Sequence, residues 1–451
     1  MVDAWGPNTV NYSGVKFDKK DFGPRLGLAW SPFGTGRTVV RAGFGLFFGT
    51  DGSSFDDLGL NPPNLGIYTV SYSSKDIPLA SQYIDAGFPA TIPVADPNNP
   101  SGNVRATGTT RLVPRIMEFN VNIQHQLGTS WVVQAAYVGT RGDRLWNHQT
   151  GDLNQPMQPL DTNFQGGTNL GRRFYSQLPN LNSIYPLDMA MFDLSYNALQ
   201  TGINRKFSNG LSLSANYTFA KNLGTADGLV AGTIQNIYDI GSTRGPVSPD
   251  LRHRFVASYI YELPVGTGRL LMKHAARPID AVLGGWQLSG IVTAQSGSRY
   301  SPILGSDLTM TGSPSPRPNV IHDPYDFSYD IAGQKALGCP GGVQTLQCWF
   351  NPAAFVLPLL APGQTVARQF GNAGTGTLHG PNLENVDFGA MKSFRLTEQH
   401  RIQFRAELFN LANHPNFATS GARVNSNGGQ RVTSTIPENQ REVQLALKWL
   451  F

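Results

Sequence analysis

Charge is scarce in this sequence, and the charges that are present do not cluster. Charged residues make up 14% of the 451 residues, whereas soluble globular proteins contain roughly 25%. The formal net charge is +5, yet no run of five or more Lys and Arg residues occurs. Because nucleic-acid-binding proteins gather their basic residues into a patch or stripe, we expect no nucleic-acid partner.

Long apolar segments are also missing. A transmembrane helix needs a window of roughly eighteen apolar residues, and the sequence contains none. Residues 1–10, MVDAWGPNTV, lack the basic stretch and the apolar core of a secretory signal peptide. A β-barrel remains the other route across a membrane, because its strands alternate in polarity and are not detected by a hydropathy scan.

Cysteine is represented only by Cys339 and Cys348. Neither has a neighbouring His or a second Cys pair, so we expect no metal site there. The spacing is compatible with a disulfide that closes a small loop in an oxidising compartment. Two unpaired thiols are the alternative.

Motifs for catalysis or cofactor binding are lacking as well. The Gly-rich segments 34–37, 266–269 and 374–380 match neither GxxxxGK[ST] nor GxGxxG, and we interpret them as turns. The acidic segment DGSSFDD (51–57) lacks EF-hand spacing, and no Ser–His–Asp set has a nucleophile elbow. We therefore predict no catalytic, cofactor-binding or metal-ligating residues, and a protein that is not an enzyme.

The sequence is instead rich in Gly (50 residues), Pro (31 residues) and aromatic residues (10%), which is typical of many strands joined by turns and long loops. Within these strands, polarity alternates strictly. Phe119, Val121 and Ile123 alternate with Asn and Gln, and Val443 and Leu445 alternate with Glu and Gln. Each such segment has one apolar and one polar face, and its length suits the roughly 9–11 residues of a strand tilted across a bilayer.

The lengths of the connections indicate an outer-membrane β-barrel with periplasmic turns, because short turns alternate with long loops. Structureless loops of this length are improbable inside a compact soluble domain. The predicted strands span residues 22–31, 37–49, 115–127, 130–141, 194–207, 210–222, 251–263, 284–296, 381–394, 400–412 and 440–451. The short turns are 31–36, 127–130, 207–210 and 395–400; the long connections are 50–114, 142–193, 223–250, 297–380 and 413–439, and 264–283 is intermediate.

Eleven strands are an odd number, whereas bacterial barrels have even numbers and must close. The predicted fold is therefore all-β: part of an antiparallel transmembrane β-barrel with long extracellular loops. Closure would require 22–31 to pair with 440–451 in parallel, so we expect an open wall. Together with the missing signal peptide, this predicts that residues 1–451 are the C-terminal portion of a longer barrel.

Seven segments carry a resemblance to a known family: 21–48 (DFGPRLGLAWSPFGTGRTVVRAGFGLFF), 131–146, 195–223, 250–268, 284–297, 348–355 (CWFNPAAF) and 404–417 (FRAELFNLANHPNF). Together they resemble the large TonB-dependent receptors of the Oar-like type, which are common in Acidobacteria. The resemblance implies a barrel of about twenty-two strands, a plug domain, an N-terminal carboxypeptidase-regulatory-like β-sandwich and coupling to TonB. Neither the plug nor the sandwich domain is recognised within residues 1–451.

The C-terminus carries one further feature of this class. Leu447, Trp449 and Phe451 lie on one face of the last predicted strand. The terminal Phe resembles the C-terminal aromatic signature that the barrel-assembly machinery reads in outer-membrane proteins. An ordinary lipid-facing strand that ends in Phe is the alternative.

Three functional hypotheses follow, of which the first two place the protein in the cell outer membrane. The first is a receptor that takes up a scarce carbohydrate, siderophore or peptide and reaches the TonB complex only through a region N-terminal to this chain. Its other partners are outer-membrane lipid and the barrel-assembly machinery. The second is a surface anchor or adhesion protein without transport, and the third is a soluble β-rich binding module.

Overall fold

The computed structural model describes residues 16–17, 20–49, 61, 102–108, 110–148, 151–157, 159, 171–225, 234–313, 315–360, 367–424 and 428–451. Eleven of its strands follow one another along an antiparallel sheet, so that each strand pairs with its neighbours in the sequence. They are β1 (Arg25–Trp30), β2 (Thr38–Phe48), β3 (Arg115–Leu127), β4 (Trp131–His148), β5 (Leu181–Ser208), β6 (Leu211–Gly224), β7 (His253–Glu262), β8 (Trp286–Gln295), β9 (Leu383–Arg395), β10 (Arg401–Phe409) and β11 (Glu442–Leu450).

All eleven predicted strands are confirmed, and the predicted bounds of β3, 115–127, are those of the structure. Local turn chemistry explains why the ends of the strands could be predicted. Between β5 and β6, Asn209 and Gly210 both have positive φ, at 47° and 79°, which is the conformation that Asn-Gly favours in a two-residue hairpin turn. Between β3 and β4, Gly128 adopts φ 61°.

The bounds of β4 and β5 were wrong at one end. The sequence predicted 130–141 and 194–207, but the strands extend to His148 and back to Leu181. The extension escaped prediction because its alternation is broken by register shifts after Gly142. It is also supported by a distant segment, since Gly102–Thr107 pairs in parallel with Leu181–Leu187.

The sheet has two free edges among the described residues. β1 pairs only with β2, and β11 pairs only with β10. The expected open wall is therefore confirmed. Because the strands form a meander, the short turns 31–37, 128–130, 209–210 and 396–400 lie at one end of the wall, and the long connections lie at the other.

Helices are few and short. Two α-helices, α1 (Arg277–Leu283) and α2 (Ile331–Ala336), and two 3-10 helices, Ile240–Thr243 and Pro352–Ala354, occur in the connections. Within the described residues, no helix is both long and apolar enough to cross a membrane. Short strand pairs also occur: Lys16–Phe17 with Thr110–Arg111, Arg299–Tyr300 with Leu378–His379, Asn319–Val320 with Phe355–Val356, and Gly245–Pro246 with β6.

The hydrophobic core lies in the long connections, not beneath the sheet. Its largest cluster joins the β8–β9 connection to the β10–β11 connection, so these long loops pack against each other although they contain little regular secondary structure. The local apolar residues suffice for a small core, although they follow neither helical nor strand periodicity. The cluster comprises Leu304, Phe350, Ala354, Phe355, Leu378 and Val424.

Candidate functional site

One face of the sheet is apolar across every strand. The register aligns Val121 with Tyr137, Tyr137 with Leu199, and Leu199 with Phe219. All four side chains are exposed, as are Leu445 and the other large residues of this face on β11. A contiguous exposed apolar surface of this extent marks contact with another apolar phase.

The opposite face is polar along the same strands. Asn122 of β3 faces Arg41 on one side and Ala136 on the other, and Ala136 continues to Gln200. Arg41 donates a hydrogen bond to Gln124 within this face, at 2.9 Å. The alternation read from single strands is thus preserved across the wall.

Two adjoining grooves lie on the polar face of β6 to β10. The first, of about 380 Å³, is lined by Ser214, Ser258, Ser289, Asp387 and Glu407, among others. These residues occupy polar positions of the predicted strands, but nothing in the sequence distinguishes them from the other polar residues of those strands. The register of the sheet brings hydroxyl and carboxylate groups from these five strands to two neighbouring levels of the wall.

The second groove, of about 600 Å³, begins at Asp387 and continues to Glu438 and Glu442 beside the long connections. The Asp387 carboxylate is held in place, because its Oδ1 accepts hydrogen bonds from the Asn410 backbone N–H at 2.9 Å and from Asn385 Nδ2 at 2.8 Å. Carboxylates and hydroxyls in these positions can hydrogen-bond a polar ligand and attract a cationic one.

Buried amide side chains join the long connections above these grooves. Gln155, from the β4–β5 connection, donates to the Gln235 carbonyl at 3.0 Å and to Thr311 Oγ1 at 3.1 Å, and accepts from the Ile237 N–H at 2.9 Å. Gln235, from the β6–β7 connection, donates to the Gly371 carbonyl at 3.0 Å. Since each amide has donor and acceptor partners, the network is stable in a buried site.

Arg317 continues this network and is only 2% exposed. Its backbone N–H donates to Gln235 Oε1 at 2.8 Å, and its Nη1 donates to the carbonyls of Ala373 and Ser242 at 2.9 and 3.0 Å. Burial lowers the pKa of Arg317. The guanidinium therefore cross-links the β6–β7 and β8–β9 connections mainly through backbone carbonyls.

A second group, of half-buried aromatic residues, joins the β8–β9 connection to itself and to the β10–β11 connection. Tyr300 hydrogen-bonds Ser420, and burial raises the pKa of Tyr300 to about 12. Tyr325 stacks on His379 with ring centroids 4.0 Å apart, and its hydroxyl donates to the His379 carbonyl at 2.9 Å. Burial raises the pKa of Tyr325 and lowers that of His379. We name the described parts of the four interlocked connections, within 151–180, 225–252, 296–382 and 410–441, the loop cap.

The sequence matches the outer membrane beta barrel domain family over residues 3–444. The chain belongs to this family. Solved structures with a similar course of the chain include the outer membrane transporter YddB from Escherichia coli, at 9% identity and TM-score 0.47 over 95% of this chain and 40% of that chain. Another is the FrpB iron transporter from Neisseria meningitidis, at 9% identity and TM-score 0.40 over 94% of this chain and 38% of that chain. A third is BauA, the ferric preacinetobactin receptor from Acinetobacter baumannii, at 11% identity and TM-score 0.41 over 95% of this chain and 36% of that chain. The chain thus spans at most 40% of these proteins, and no curated protein matches it.

Membership of the outer membrane barrel family orients the molecule. The protein lies in the outer membrane, with the exposed apolar face toward lipid and the polar face toward the lumen. The short turns are periplasmic, and the loop cap is extracellular. The two grooves are therefore lumenal, and the second adjoins the cap.

Aromatic residues mark the periplasmic end of the lipid-facing surface. Trp30 ends β1, whereas Trp131 and Trp286 begin β4 and β8 at the same end of the wall. The Arg205 guanidinium lies over the Trp131 ring at 5.1 Å, which is a cation–π contact. These positions agree with the aromatic girdle of an outer-membrane barrel, whereas Tyr137 lies farther along β4.

The predicted C-terminal residues lie together at the periplasmic end. Leu447 and Trp449 are exposed on the lipid-facing side of β11, and Phe451 follows the strand. The rings of Trp449 and Phe451 are 5.6 Å apart, and Trp449 also lies 5.6 Å from His400. These residues and His400 therefore form an aromatic cluster at the end of the wall.

In the loop cap, Cys339 and Cys348 form a disulfide with Cα atoms 5.6 Å apart. They pack with Phe327 next to α2, where Gln334 donates to the carbonyls of Phe327 and Tyr329 at 2.9 and 2.6 Å. The bridge therefore closes a small subdomain of the β8–β9 connection and lies far in sequence from the lumenal grooves.

The remaining motifs have structural roles where the structure describes them. Gly34, Gly266 and Gly376 all have positive φ, which confirms that the Gly-rich segments are turns. The acidic segment 51–57 lies outside the described residues. The described part of the chain contains no group of three or more His, Cys, Asp or Glu residues placed to bind a metal ion.

Proposed function

We propose that this chain forms part of the wall of a TonB-dependent receptor of the Oar-like type, which takes up a scarce extracellular ligand. The observation that carries the proposal is the pair of lumenal grooves, which place hydroxyl and carboxylate groups below the interlocked loop cap. A receptor needs both elements, because its extracellular loops capture the ligand and its polar inner wall conducts it. The sequence segments that resemble this receptor type support the same assignment.

The proposal includes further strands that complete the barrel. β1 and β11 each have an unpaired edge among the described residues, and a barrel in lipid must satisfy every backbone hydrogen bond. A barrel of about twenty-two strands would contain the eleven strands as half of its wall. We propose that the plug, the sandwich domain and the TonB-contacting segment belong to the part of the receptor outside this chain.

Uptake by cells tests the proposal. Cells with and without the gene are compared for uptake of a labelled ferric siderophore, a maltodextrin and an oligopeptide, each with and without a protonophore. We expect uptake of one probe to depend on both the gene and the proton gradient. Glu407→Gln should reduce this uptake, whereas Glu398→Gln, in the exposed turn 396–400, serves as the matched control. Uptake that does not depend on the gene would contradict transport.

A surface anchor is the second candidate, and the folded state of the loop cap favours it. The cap has its own apolar cluster and a disulfide, as expected of a domain that is displayed on the cell surface. The anchor hypothesis predicts that deletion of the gene abolishes adhesion of cells to a surface and leaves the uptake of all three probes unchanged. Energy-dependent uptake of one probe would decide for the receptor.

We also propose that Leu447, Trp449 and Phe451 form the signal read by the barrel-assembly machinery. Phe451→Ala should lower the amount of folded protein in the outer membrane, measured by its heat-modifiable mobility in electrophoresis. Val443→Ala is the control, because Val443 is also exposed on the lipid-facing side of β11 but lies at the other end of the strand. Equal amounts of the two folded variants would assign Phe451 to the ordinary lipid-facing surface.

A further inference from the structure

The β7–β8 connection differs from the other periplasmic connections. It runs over residues 263–285 and contains α1, whereas the others are short turns such as 128–130 and 209–210. A tight turn would suffice to join two adjacent antiparallel strands. The additional residues are therefore not needed to connect β7 to β8, which indicates that they have a separate role.

Two side chains of the lipid-facing surface hold α1 in place. Trp286 Nε1 donates to the Val282 carbonyl at 2.9 Å. Lys392 Nζ donates to the Gly284 carbonyl and, at 3.4 Å, to the Asp280 carbonyl. Trp286 and Lys392 are register partners on the apolar face of β8 and β9, so α1 lies against the outside of the wall and not across the lumen.

Lys392 is only 4% exposed, although it lies on the lipid-facing surface. Its ammonium group lies 5.7 Å from the Trp286 ring and 5.2 Å from the Phe394 ring. The cation thus satisfies carbonyls at the C-terminal end of α1, where a positive charge is favourable. This contact fixes the orientation of the helix on the wall.

The outward side of α1 is apolar. Ile279, Val282 and Leu283 are 47%, 64% and 48% exposed, and their spacing of three and four positions places them on one helical face. The same connection exposes Leu270 and Leu271. Because Trp286 and Lys392 hold α1 on the lipid-facing side of the wall, we place these side chains next to that surface at its periplasmic end.

The polar residues of the connection carry mostly positive charge. Arg269, Lys273 and Arg277 are exposed, and Asp280 is the only acidic residue within 263–285. The Asp280 carboxylate faces inward and accepts a hydrogen bond from the Thr267 N–H at 2.7 Å. Apolar residues flanked by basic ones are characteristic of a helix that lies in a membrane interface.

We propose that α1 is an interfacial anchor that inserts into the periplasmic leaflet of the outer membrane. Ile279, Val282 and Leu283 contact acyl chains, and Lys273 and Arg277 contact phospholipid phosphates. The location of α1 on the outer side of the wall and its continuity with the lipid-facing surface identify the occupant as phospholipid. The proposal requires the outer-membrane location of the chain but does not depend on what the barrel transports.

Depth-dependent fluorescence quenching tests this proposal. Both cysteines of this chain are in the disulfide, so a single cysteine introduced into it can be labelled with bimane in the complete receptor, folded into vesicles of phosphatidylcholine and phosphatidylglycerol. The lipid is brominated near the top of its acyl chains. Labels are placed at Val282→Cys and, as a second position should that variant fold poorly, at Ile279→Cys. Leu127→Cys on the lipid-facing end of β3 and Gln399→Cys in an exposed turn are the references.

We expect the label at position 282 to lose as much emission as the label at 127 when brominated lipid replaces ordinary lipid. A loss closer to that at 399 would place α1 in water and overturn the proposal. If α1 instead binds a periplasmic protein, the loss at position 282 should resemble that at 399, because the vesicles contain no such protein. Replacing both Lys273 and Arg277 by Gln should reduce the quenching at 282 in vesicles that contain phosphatidylglycerol, and an unchanged value would refute their contact with phosphates.

Discussion

Replacing Gln235 by Met tests whether buried amides hold the loop cap together. Met has nearly the volume of Gln, so the substitution removes hydrogen bonds with little change in packing. It leaves the Arg317 N–H and the Gly371 carbonyl without their partners at 2.8 and 3.0 Å. Gln235 is 3% exposed, and each of the two buried groups left unpaired costs about 1–3 kcal/mol, which gives about 2–6 kcal/mol in total.

Hydrogen exchange measures this loss at the level of single segments. The Ala373 N–H, which donates to the Pro318 carbonyl at 3.0 Å, reports opening of the cap. A destabilisation of about 3 kcal/mol raises its exchange rate by about a hundredfold, since each 1.4 kcal/mol corresponds to a factor of ten. Amides of β7, such as that of Val256, should keep their wild-type rates.

Gln344→Met is the matched control for this experiment. Gln344 lies in the same connection and donates to the Trp349 carbonyl at 2.8 Å, but it is exposed, so water can replace the lost bond. Its substitution should change the exchange at Ala373 by less than about tenfold. If Gln235→Met changes that exchange no more than Gln344→Met does, the reasoning that the amide network holds the cap is refuted.

Three further predictions concern the cap and the periplasmic helix. Cys348→Ser should lower the local stability of the subdomain around α2 by about 2–3 kcal/mol, which is the chain-entropy value for a small loop. Proteases should therefore cleave this subdomain faster, whereas the mobility of the folded barrel in electrophoresis should stay unchanged. Burial lowers the pKa of His379 below its ordinary 6.5. The positive charge of Arg299 lowers this pKa as well, whereas the negative charge of Asp323 raises it. The unfolded cap therefore binds the proton first, so resistance of the cap to proteolysis should be complete above pH 6.5 and decline as the pH falls, and His379→Gln should weaken this dependence. Lys392→Met should accelerate trypsin cleavage after Lys273 because α1 loses its contact with the wall, whereas Lys448→Met, on the lumenal face, should not.

The wall could be predicted from the sequence because its physical determinants are local. Alternation fixes which side chains of β3 point outward, and Asn209–Gly210 fixes where β5 turns into β6. Antiparallel order then follows from the short turns, since adjacent strands joined by two or three residues must pair. The long connections are constrained to the other end by the same rule.

The loop cap could not be predicted because its contacts are non-local. Gln155 and Thr311 meet across the β4–β5 and β8–β9 connections, and neither residue differs in sequence from an exposed polar residue. The lumenal grooves form an intermediate case. The polar positions of Asp387 and Glu407 were predictable from alternation, but their convergence depends on the register between β9 and β10.

The two parts of the protein are stabilised by different interactions, so we expect the wall and the loop cap to open independently of each other. The wall relies on its strand ladder and on lipid around residues such as Val121 and Leu199, whereas the cap relies on a small apolar cluster and on buried amides. Hydrogen bonds depend on geometry, so the remaining groups of a polar network cannot compensate for a lost partner as apolar contacts can. We therefore expect the network to open as a unit when one amide is removed. The wall does not share these bonds. Hence opening of the cap in Gln235→Met should leave the exchange of β7 at its wild-type rate, and parallel acceleration in both would mean that wall and cap unfold as one cooperative unit.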